Sequence, residues 1–328
     1  MVDLLAVGNA LVDRVHRVTI LPPPDGGAAI LERSRAPGGV EANVAAAAAA
    51  LGLDAAMVAH VGRDADGEEV LADLRERGID TDGVRVGEPG DTANSLVFVD
   101  PEGRRIIFTG GRGAGALELA DADLVRLSGA RVCATSAYVP AALLRGLADA
   151  CARTDTLLSV DLPGTFDDLA PRGITRELVA ALLPRISLLV LGRAPLADLT
   201  GTEDVDEGLD RLRRHTDTRV AVTAGAEGLH VDGDGERVHA PACPVEVVDT
   251  SGAGDVTHAA LIAAWLLDGA PPEQAAVAGA AAGGHATLAA GARGALPGRR
   301  VLAGAAAQRP TGAEPPGPRT DPADPGRH

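Results

Sequence analysis

The chain has 328 residues, 46% of them apolar but only 2% aromatic, and a formal net charge of −16. That length allows one large α/β domain with an insertion, or two ordinary domains, around a core built mostly from Ala, Val and Leu. The acidity makes nucleic acid and anionic membrane poor partners.

Residues 4–8 form a short apolar run ending in Gly8 and read as a first, buried parallel strand. β-like pieces follow at 15–20 and 28–32, around the turn-rich Pro22-Pro23-Pro24-Asp25-Gly26-Gly27. An Ala-rich helix is expected at 42–51, just after Gly38-Gly39, then a strand at 55–61 and a helix at 67–77 closed by Gly78. Residues 94–100 and 104–108 flank Pro101-Glu102-Gly103, a hairpin signal. From residue 121 the chain alternates. Helices at 121–127, 140–153, 175–184 and 204–214 each lead to a strand, at 130–134, 156–161, 187–191 and 218–223. This rhythm predicts βαβ units and a parallel sheet covered on both faces. Two β pieces at 228–231 and 236–239 precede Ala-rich helices at about 254–268 and 273–289.

The pieces at 14–36 and 88–110 break that rhythm. They read as a small sheet projecting over a site as a lid, or as an extension of the main sheet. Residues 1–302 are expected to form one domain. Segment 309–328 holds six prolines and almost no large apolar residue, so 303–328 reads as a disordered tail. Cys133, Cys151 and Cys243 form no C-x-x-C pair, which argues against a disulfide framework or zinc site. No basic stretch followed by an apolar one opens the chain, so no signal peptide is read. The apolar run 256–267 contains His258 and is too short to span a bilayer. A cytoplasmic protein with reduced thiols is expected.

The strongest chemical signal is Asp249-Thr250-Ser251-Gly252-Ala253-Gly254-Asp255, which follows a β-like stretch and opens a helix. Small residues before a helix leave backbone N–H groups free and pointing one way, and the helix dipole adds positive potential there. Such a turn suits a phosphate or a phosphoryl transition state. Asp255 then stands at the mouth of the anion hole, where a carboxylate can take the proton of an attacking hydroxyl. On local physics alone, a helix-capping Asp255 is an equal reading.

The segment 249–255 resembles the D-T-x-G-A-G-D signature of the ribokinase-like (PfkB-type) carbohydrate kinases. Pro37-Gly38-Gly39-Val40-Glu41-Ala42-Asn43-Val44-Ala45, followed by Leu51-Gly52, resembles that family's first signature, and the two stand in the expected order. The resemblance covers residues 2 to about 298. It implies a Rossmann-like three-layer α/β/α ribokinase fold with a small β-sheet lid, and an ATP-dependent kinase acting on a sugar or sugar-like molecule. Asp255 would be the catalytic base, with the amides of Gly252, Ala253 and Gly254 as the anion hole. Asp13, Gly38, Gly39 and Asn43 would contact sugar hydroxyls. Thr223, Gly225 and Gly228, in a segment similar to the family's T-x-G-x-x-G loop, would lie beside the nucleotide. Mg²⁺ would accompany ATP, and Asp249 and Thr250 would help hold a monovalent cation such as K⁺. Arg112 would reach an anionic group from the lid, a solvated surface arginine being the alternative. Relatives that pair through the lid suggest a homodimer.

Two departures bear on these expectations. Where the family carries N-x-x-E to organise Mg²⁺, this chain has Gly192 and Pro195, located by Leu199-Thr200-Gly201. Neither can hold a hydrated cation through a side chain. Either ATP, water and another carboxylate hold the ion, or Arg193 replaces part of the charge, or the chain binds ligand without turnover. The D-P-N-x-R segment of some branches is replaced by Asp161-Leu162-Pro163-Gly164-Thr165, while Glu41 resembles the 2-keto-3-deoxygluconate kinase branch. The substrate branch stays open. An NAD-dependent enzyme is disfavoured, because Gly8-Asn9-Ala10-Leu11-Val12 stands where G-x-G-x-x-G would follow the first strand.

Overall fold

The structure, a computed structural model, describes residues 1–307. Its strands, in chain order, are β1 (Val2–Gly8), β2 (Leu11–Val18), β3 (Ile30–Gly38), β4 (Ala55–Val61), β5 (Asp80–Val86), β6 (Ala93–Val99), β7 (Arg105–Gly110), β8 (Ala130–Ser136), β9 (Leu157–Leu162), β10 (Leu188–Gly192), β11 (Arg219–Thr223), β12 (Leu229–Gly233) and β13 (Glu236–Ala240). The helices are α1 (Val40–Ala50), α2 (Ala65–Glu76), α3 (Asp121–Ser128), α4 (Ala141–Thr154), α5 (Phe166–Leu169), α6 (Arg176–Leu182), α7 (Arg193–Thr200), α8 (Val205–Arg213), α9 (Ala253–Leu261), α10 (Pro272–Ala286) and α11 (Arg299–Ala307).

Nine strands make the main sheet, in the order β13-β12-β11-β10-β9-β8-β1-β4-β5. From β11 to β5 neighbouring strands run parallel, and the β12–β13 hairpin closes one edge antiparallel. Successive side chains of a strand point to opposite faces. Accordingly Leu4 and Ala6 of β1 join a core under α1, α2, α9 and α10, while Leu5 and Val7 join a second core under α3, α4, α6, α7 and α8. These are the three α/β/α layers the alternation predicts. Small side chains make the first core tight. Ala45, Ala46, Ala47 and Ala48 of α1 are all buried, so α1 lies close against both β1 and α9.

The irregular β pieces form a separate four-stranded sheet, β3-β2-β6-β7, and not an extension of the main one. β2 runs parallel to β6, and the two outer pairings are antiparallel. Arg14 and Arg35 fasten this lid to α2 by ion pairs with Asp66, at 2.5 and 3.0 Å, and Arg35 also pairs with Glu69.

Three features differ from expectation. Strand β5, polar and interrupted by Gly83, sits at the open edge of the main sheet, where partial exposure removes the apolar pattern that would mark it. The helix expected at 254–268 is α-helical only to Leu261 and continues as a π-helical turn over Ile262–Leu267. Helix α11 runs to Ala307, past the boundary at 303 expected for the tail. Residues 308–328, the rest of that segment, lie outside the described residues. No helix among the described residues is long and apolar enough to cross a membrane.

Candidate active site

The chain leaves β1 towards β4 and β5 on one side, then returns to β8 and continues to the other. Ligands in open α/β sheets bind at the carboxyl ends of strands beside such a switch point. Here Glu41, the second residue of α1, spans the gap between β1 and β8. Its Oε2 accepts the Asn9 amide at 2.8 Å, and its Oε1 accepts the Ser136 amide at 2.9 Å and hydroxyl at 2.5 Å. Gly8, at φ +153°, leaves room for it, since a Cβ there would overlap the Glu41 side chain. Burial raises the Glu41 carboxyl, and the bonds from Ser136 and Asn9 oppose the rise.

Four of the expected ligand-binding positions converge beside this gap. Asp13 of β2 accepts a hydrogen bond from Ser95 of β6. A Cβ on Gly38 would collide with Asp13 Oδ2, and one on Gly39 would come within 2.6 Å of the Asn9 carbonyl oxygen. Gly39 also needs φ +99° to begin α1, a conformation side chains resist. Asn43, one turn into α1, donates from Nδ2 to Asp255 Oδ2 at 2.7 Å. Asp255 is raised to about 7: burial raises it most, the Asn43 bond and the Arg293 charge lower it, and the Glu41 and Asp13 charges raise it. Asp161, at the end of β9, is pushed well above the usual carboxylate range by burial and then by the charges of Asp255 and Glu41.

Asp255 lies in the first turn of α9. Gly252 caps that helix at φ +72°, and a Cβ on it would meet Ala292 Cα at 2.7 Å. Gly254 faces open space, with nothing within 4 Å of where a Cβ would stand. The amides of Gly252, Gly254 and Asp255 find no acceptor among the described residues, whereas that of Ala253 bonds back to the Thr250 carbonyl at 3.3 Å. The free donors are thus 252, 254 and 255, one position different from the expected 252–254. Asp249 clips the turn, accepting from the Ser251 amide at 2.9 Å and the Gly291 amide at 2.8 Å. Each of its oxygens thus accepts one backbone amide, which braces the turn before α9 against the 291 loop.

The family model described as pfkB family carbohydrate kinase matches residues 1–299. The chain belongs to this family. It is 34% identical over 273 residues to the ATP-dependent ribose-1-phosphate kinase of Halopiger xanaduensis, covering 82% of this chain and 86% of that protein. It is 32% identical over 304 residues to the fructokinase of Klebsiella pneumoniae, covering 89% and 95%. Among solved structures, the adenosine kinase of Sinorhizobium meliloti superposes with a TM-score of 0.75 at 27% identity, covering 94% and 99%. The Arabidopsis thaliana ribokinase, complexed with ribose and ATP, has a TM-score of 0.79 at 24% identity, covering 93% and 98%, and shows the same fold.

In this pfkB-family chain the positions expected beside a nucleotide form a second cluster. Thr223 ends β11, and Gly225 at φ +55° and Gly228 at φ +105° shape the turn that follows, closed by the Ala224 amide on the Gly228 carbonyl at 2.8 Å. Gly192 lies beside it at the start of α7, its missing Cβ 3.9 Å from Thr223 Oγ1. Pro195 is buried, and Arg193 pairs with Glu227. No group of three or more His, Cys, Asp or Glu among the described residues is placed to hold a metal ion. These residues do not fit a dedicated Mg²⁺ site. The Arg112 side chain is 67% exposed, and its guanidinium lies 3.7 Å from Asp91.

Two residues of this kinase site were not foreseen. Ser95 lies in an unremarkable lid strand and is placed on Asp13 only by the β2–β6 register. Arg293 is nearly buried, 5% exposed. It donates to Asn43 Oδ1 at 2.8 Å and to the Gly38 carbonyl at 3.1 Å, and it pairs with Asp73. Its only signal in the sequence is that it is a lone charge in the small-residue run 289–294.

Proposed function

We propose that this chain transfers the γ-phosphoryl group of ATP to a hydroxyl of a small sugar or sugar-like molecule, with Asp255 as the base. The observation that carries this reading is the position of Asp255. It is a half-buried carboxylate poised near 7, next to unspent amides at a helix start and hydrogen-bonded to Asn43. A base works best when its acidity lies near the working pH. The substrate hydroxyl would sit between Asp13, Asn43 and Asp255, give its proton to Asp255, and attack the γ-phosphorus as the bond to ADP breaks. The amides of 252, 254 and 255 would stabilise the charge on the transferring group. Closure of the lid would keep water from taking the hydroxyl's place.

The relatives divide between a phosphorylated sugar and a neutral one, as the names ribose-1-phosphate kinase and fructokinase state. Both fit a polyol bound by a carboxylate and a side-chain amide. Mg²⁺ would enter as the ATP complex, because Gly192 and Pro195 offer it no side chain. Pairing of two copies through the lid belongs to the same proposal; it rests on the exposed Ile30, Leu31, Ile106, Ile107 and Phe108 and is tested by sedimentation.

The test is ADP release over a panel of pentoses, hexoses, sugar phosphates, keto-deoxy acids and nucleosides, with Asp255→Asn as control. Release that needs both a sugar and Asp255 supports the assignment. An Asp255→Asn enzyme within a few-fold of the parent removes Asp255 from that role. Thermal stabilisation by a sugar without turnover would point instead to a ligand-binding protein.

A further inference from the structure

Asp66, Glu69 and Asp73 stand at i, i+3 and i+7 of α2, so they share one face of the helix, beside the buried Val70 and Leu74. All three are half-buried, whereas Glu68, on the opposite side, is exposed. Each meets an arginine from outside the helix. Asp66 pairs with Arg14 of β2 at 2.5 Å and with Arg35 of β3 at 3.0 Å, Glu69 pairs with Arg35, and Asp73 pairs with Arg293. Arg293 in turn donates to the carbonyl of Gly38, the last residue of β3, at 3.1 Å. Strand β3 is thus tied to α2 at two points, directly through Arg35 and by way of Arg293 at Gly38.

Arg14 and Arg35 stand directly opposite each other in the β2–β3 ladder. Like charges in such a cross-strand pair repel. Asp66 accepts both guanidinium groups and Glu69 takes the second, which turns a repulsion within the lid into an attachment outside it. The next rung of the ladder is Asp13 opposite Ala36, and successive rungs point to opposite faces. One rung therefore faces α2 while its neighbour offers the carboxylate expected to hold the sugar. The same end of α2 also fixes the second excursion of the lid. Asp64, the N-cap, accepts the Gly90 amide at 2.8 Å and the Thr92 hydroxyl at 2.6 Å, just before β6. Both halves of the lid are anchored on one helix.

We propose that Asp66 and Glu69, with Arg14 and Arg35, are positioning residues: they set the lid against α2, so that Asp13 stands at the right distance from Asn43 and Asp255, and the affinity for the acceptor depends on them. The inference rests on the kinase reading for what the site binds, and not for what the latch does. A single exposed ion pair contributes little, but these four charges form one network. Lying near the surface, the network is weakened by salt. Pairs of this strength hold the lid in place and still let it open for substrate and product.

The experiment uses the full chain and its Arg35→Met, Asp66→Asn and Arg14→Met/Arg35→Met variants, methionine keeping the apolar stem of arginine. The probes are fructose, ribose and ribose 1-phosphate. KM for each sugar, KM for ATP and kcat are measured at about 0.05 and about 0.5 M salt, together with calorimetric binding of the sugars without ATP. Lid position is read without ligand, as the distance between spin labels on Glu102→Cys in the β6–β7 turn and Arg153→Cys near the end of α4, with Cys243→Ser removing the half-buried thiol. We expect the sugar KM or Kd to rise roughly 3–10-fold in Arg35→Met and Asp66→Asn and further in the double variant, with kcat and KM for ATP within about 2-fold of the parent. Salt should raise the sugar KM of the parent and leave that of the double variant almost unmoved. The label distance should lengthen in the variants. A fall in kcat at unchanged sugar KM is what general loosening of the fold would give, and it overturns the proposal. So does a label distance unmoved in every variant, or a longer distance with sugar affinity unchanged. Sugar binding that weakens in the variants, with no ADP release from any sugar, would uphold the latch and sink the kinase reading. If none of the sugars binds, the kinase reading falls and the label distance alone decides. Sugar turnover indifferent to every variant would do the reverse, leaving a kinase without the latch.

Discussion

Asn43 Nδ2 donates to Asp255 Oδ2 at 2.7 Å, joining the start of α1 to the start of α9 across 212 residues. The other end of the same amide, Oδ1, accepts from Arg293 Nε at 2.8 Å. Only one orientation of the amide satisfies both partners, since a carboxylate needs a donor and a guanidinium an acceptor. The signature asparagine is thus held on both sides, and the carboxylate it faces is held with it.

Asp255→Asn should lower kcat by roughly 10²–10⁴-fold, the usual contribution of a general base. An ADP-release assay at saturating sugar and ATP measures it. Affinity for both ligands should change far less.

In the parent enzyme kcat/KM should rise with pH through an inflection near 7, because the hydroxyl proton can be accepted only by ionised Asp255. A profile flat from pH 5 to 8 would contradict a base of this acidity.

The same elevation has a consequence for stability. The folded pKa of Asp255 lies above its unfolded value, so its contribution is fully present below pH about 4 and is lost as pH rises through about 7. An asparagine carries no such pH dependence. The melting temperature of Asp255→Asn relative to the parent should therefore climb between pH 4 and 8, leaving a more stable and far less active protein. Thermal melts across that range check it.

Arg293→Met removes a buried positive charge that lowers Asp255, so the acid limb of the rate profile should shift to higher pH. Asp255 also faces Asn43 and Glu41 of α1, Asp13 of β2 and Asp161 of β9, and among these groups Arg293 is the only cation. Breaking its contacts with Asp73, Asn43 and the Gly38 carbonyl should cost about 3 kcal/mol of stability. Arg293→Lys should restore part of the pH profile, which a purely structural role would not require.

Gly38→Ala and Gly252→Ala should separate the two halves of the site. The first pushes a methyl into Asp13 and should raise KM for the sugar by about 10-fold or more while sparing KM for ATP. The second strains the αL cap and crowds Ala292, so kcat should fall instead. Steady-state kinetics with each substrate varied in turn distinguishes them.

The βαβ rhythm from residue 121 onward was readable because those strands are buried on both faces and their helices are amphipathic. Strand β5 was not, since an edge strand needs little apolar pattern. Within the site, Gly38, Gly39, Asn43 and Asp255 stood in motifs that resemble the family's signatures, and that resemblance implied their roles. Ser95 and Arg293 did not, because their importance comes from a cross-strand register and from a loop folded back onto α1, and neither leaves a local trace. The anion turn was legible as a turn. Which of its amides remain free depended on the Ala253 bond to Thr250, a detail of φ and ψ rather than of residue type.

The lid is drawn from two separate excursions of the chain, β2–β3 and β6–β7, stitched together by parallel pairing from Leu11 with Ala93 to Arg17 with Val99. That seam cannot close until the intervening stretch of β4, α2 and β5 has brought its two ends together, and such distant closures come late because their entropy must be met first. Asp13 therefore gains Ser95 only through a seam that the intervening segment sets in register. Substrate recognition through Asp13 would thus depend on the fold of a stretch of chain that supplies neither residue.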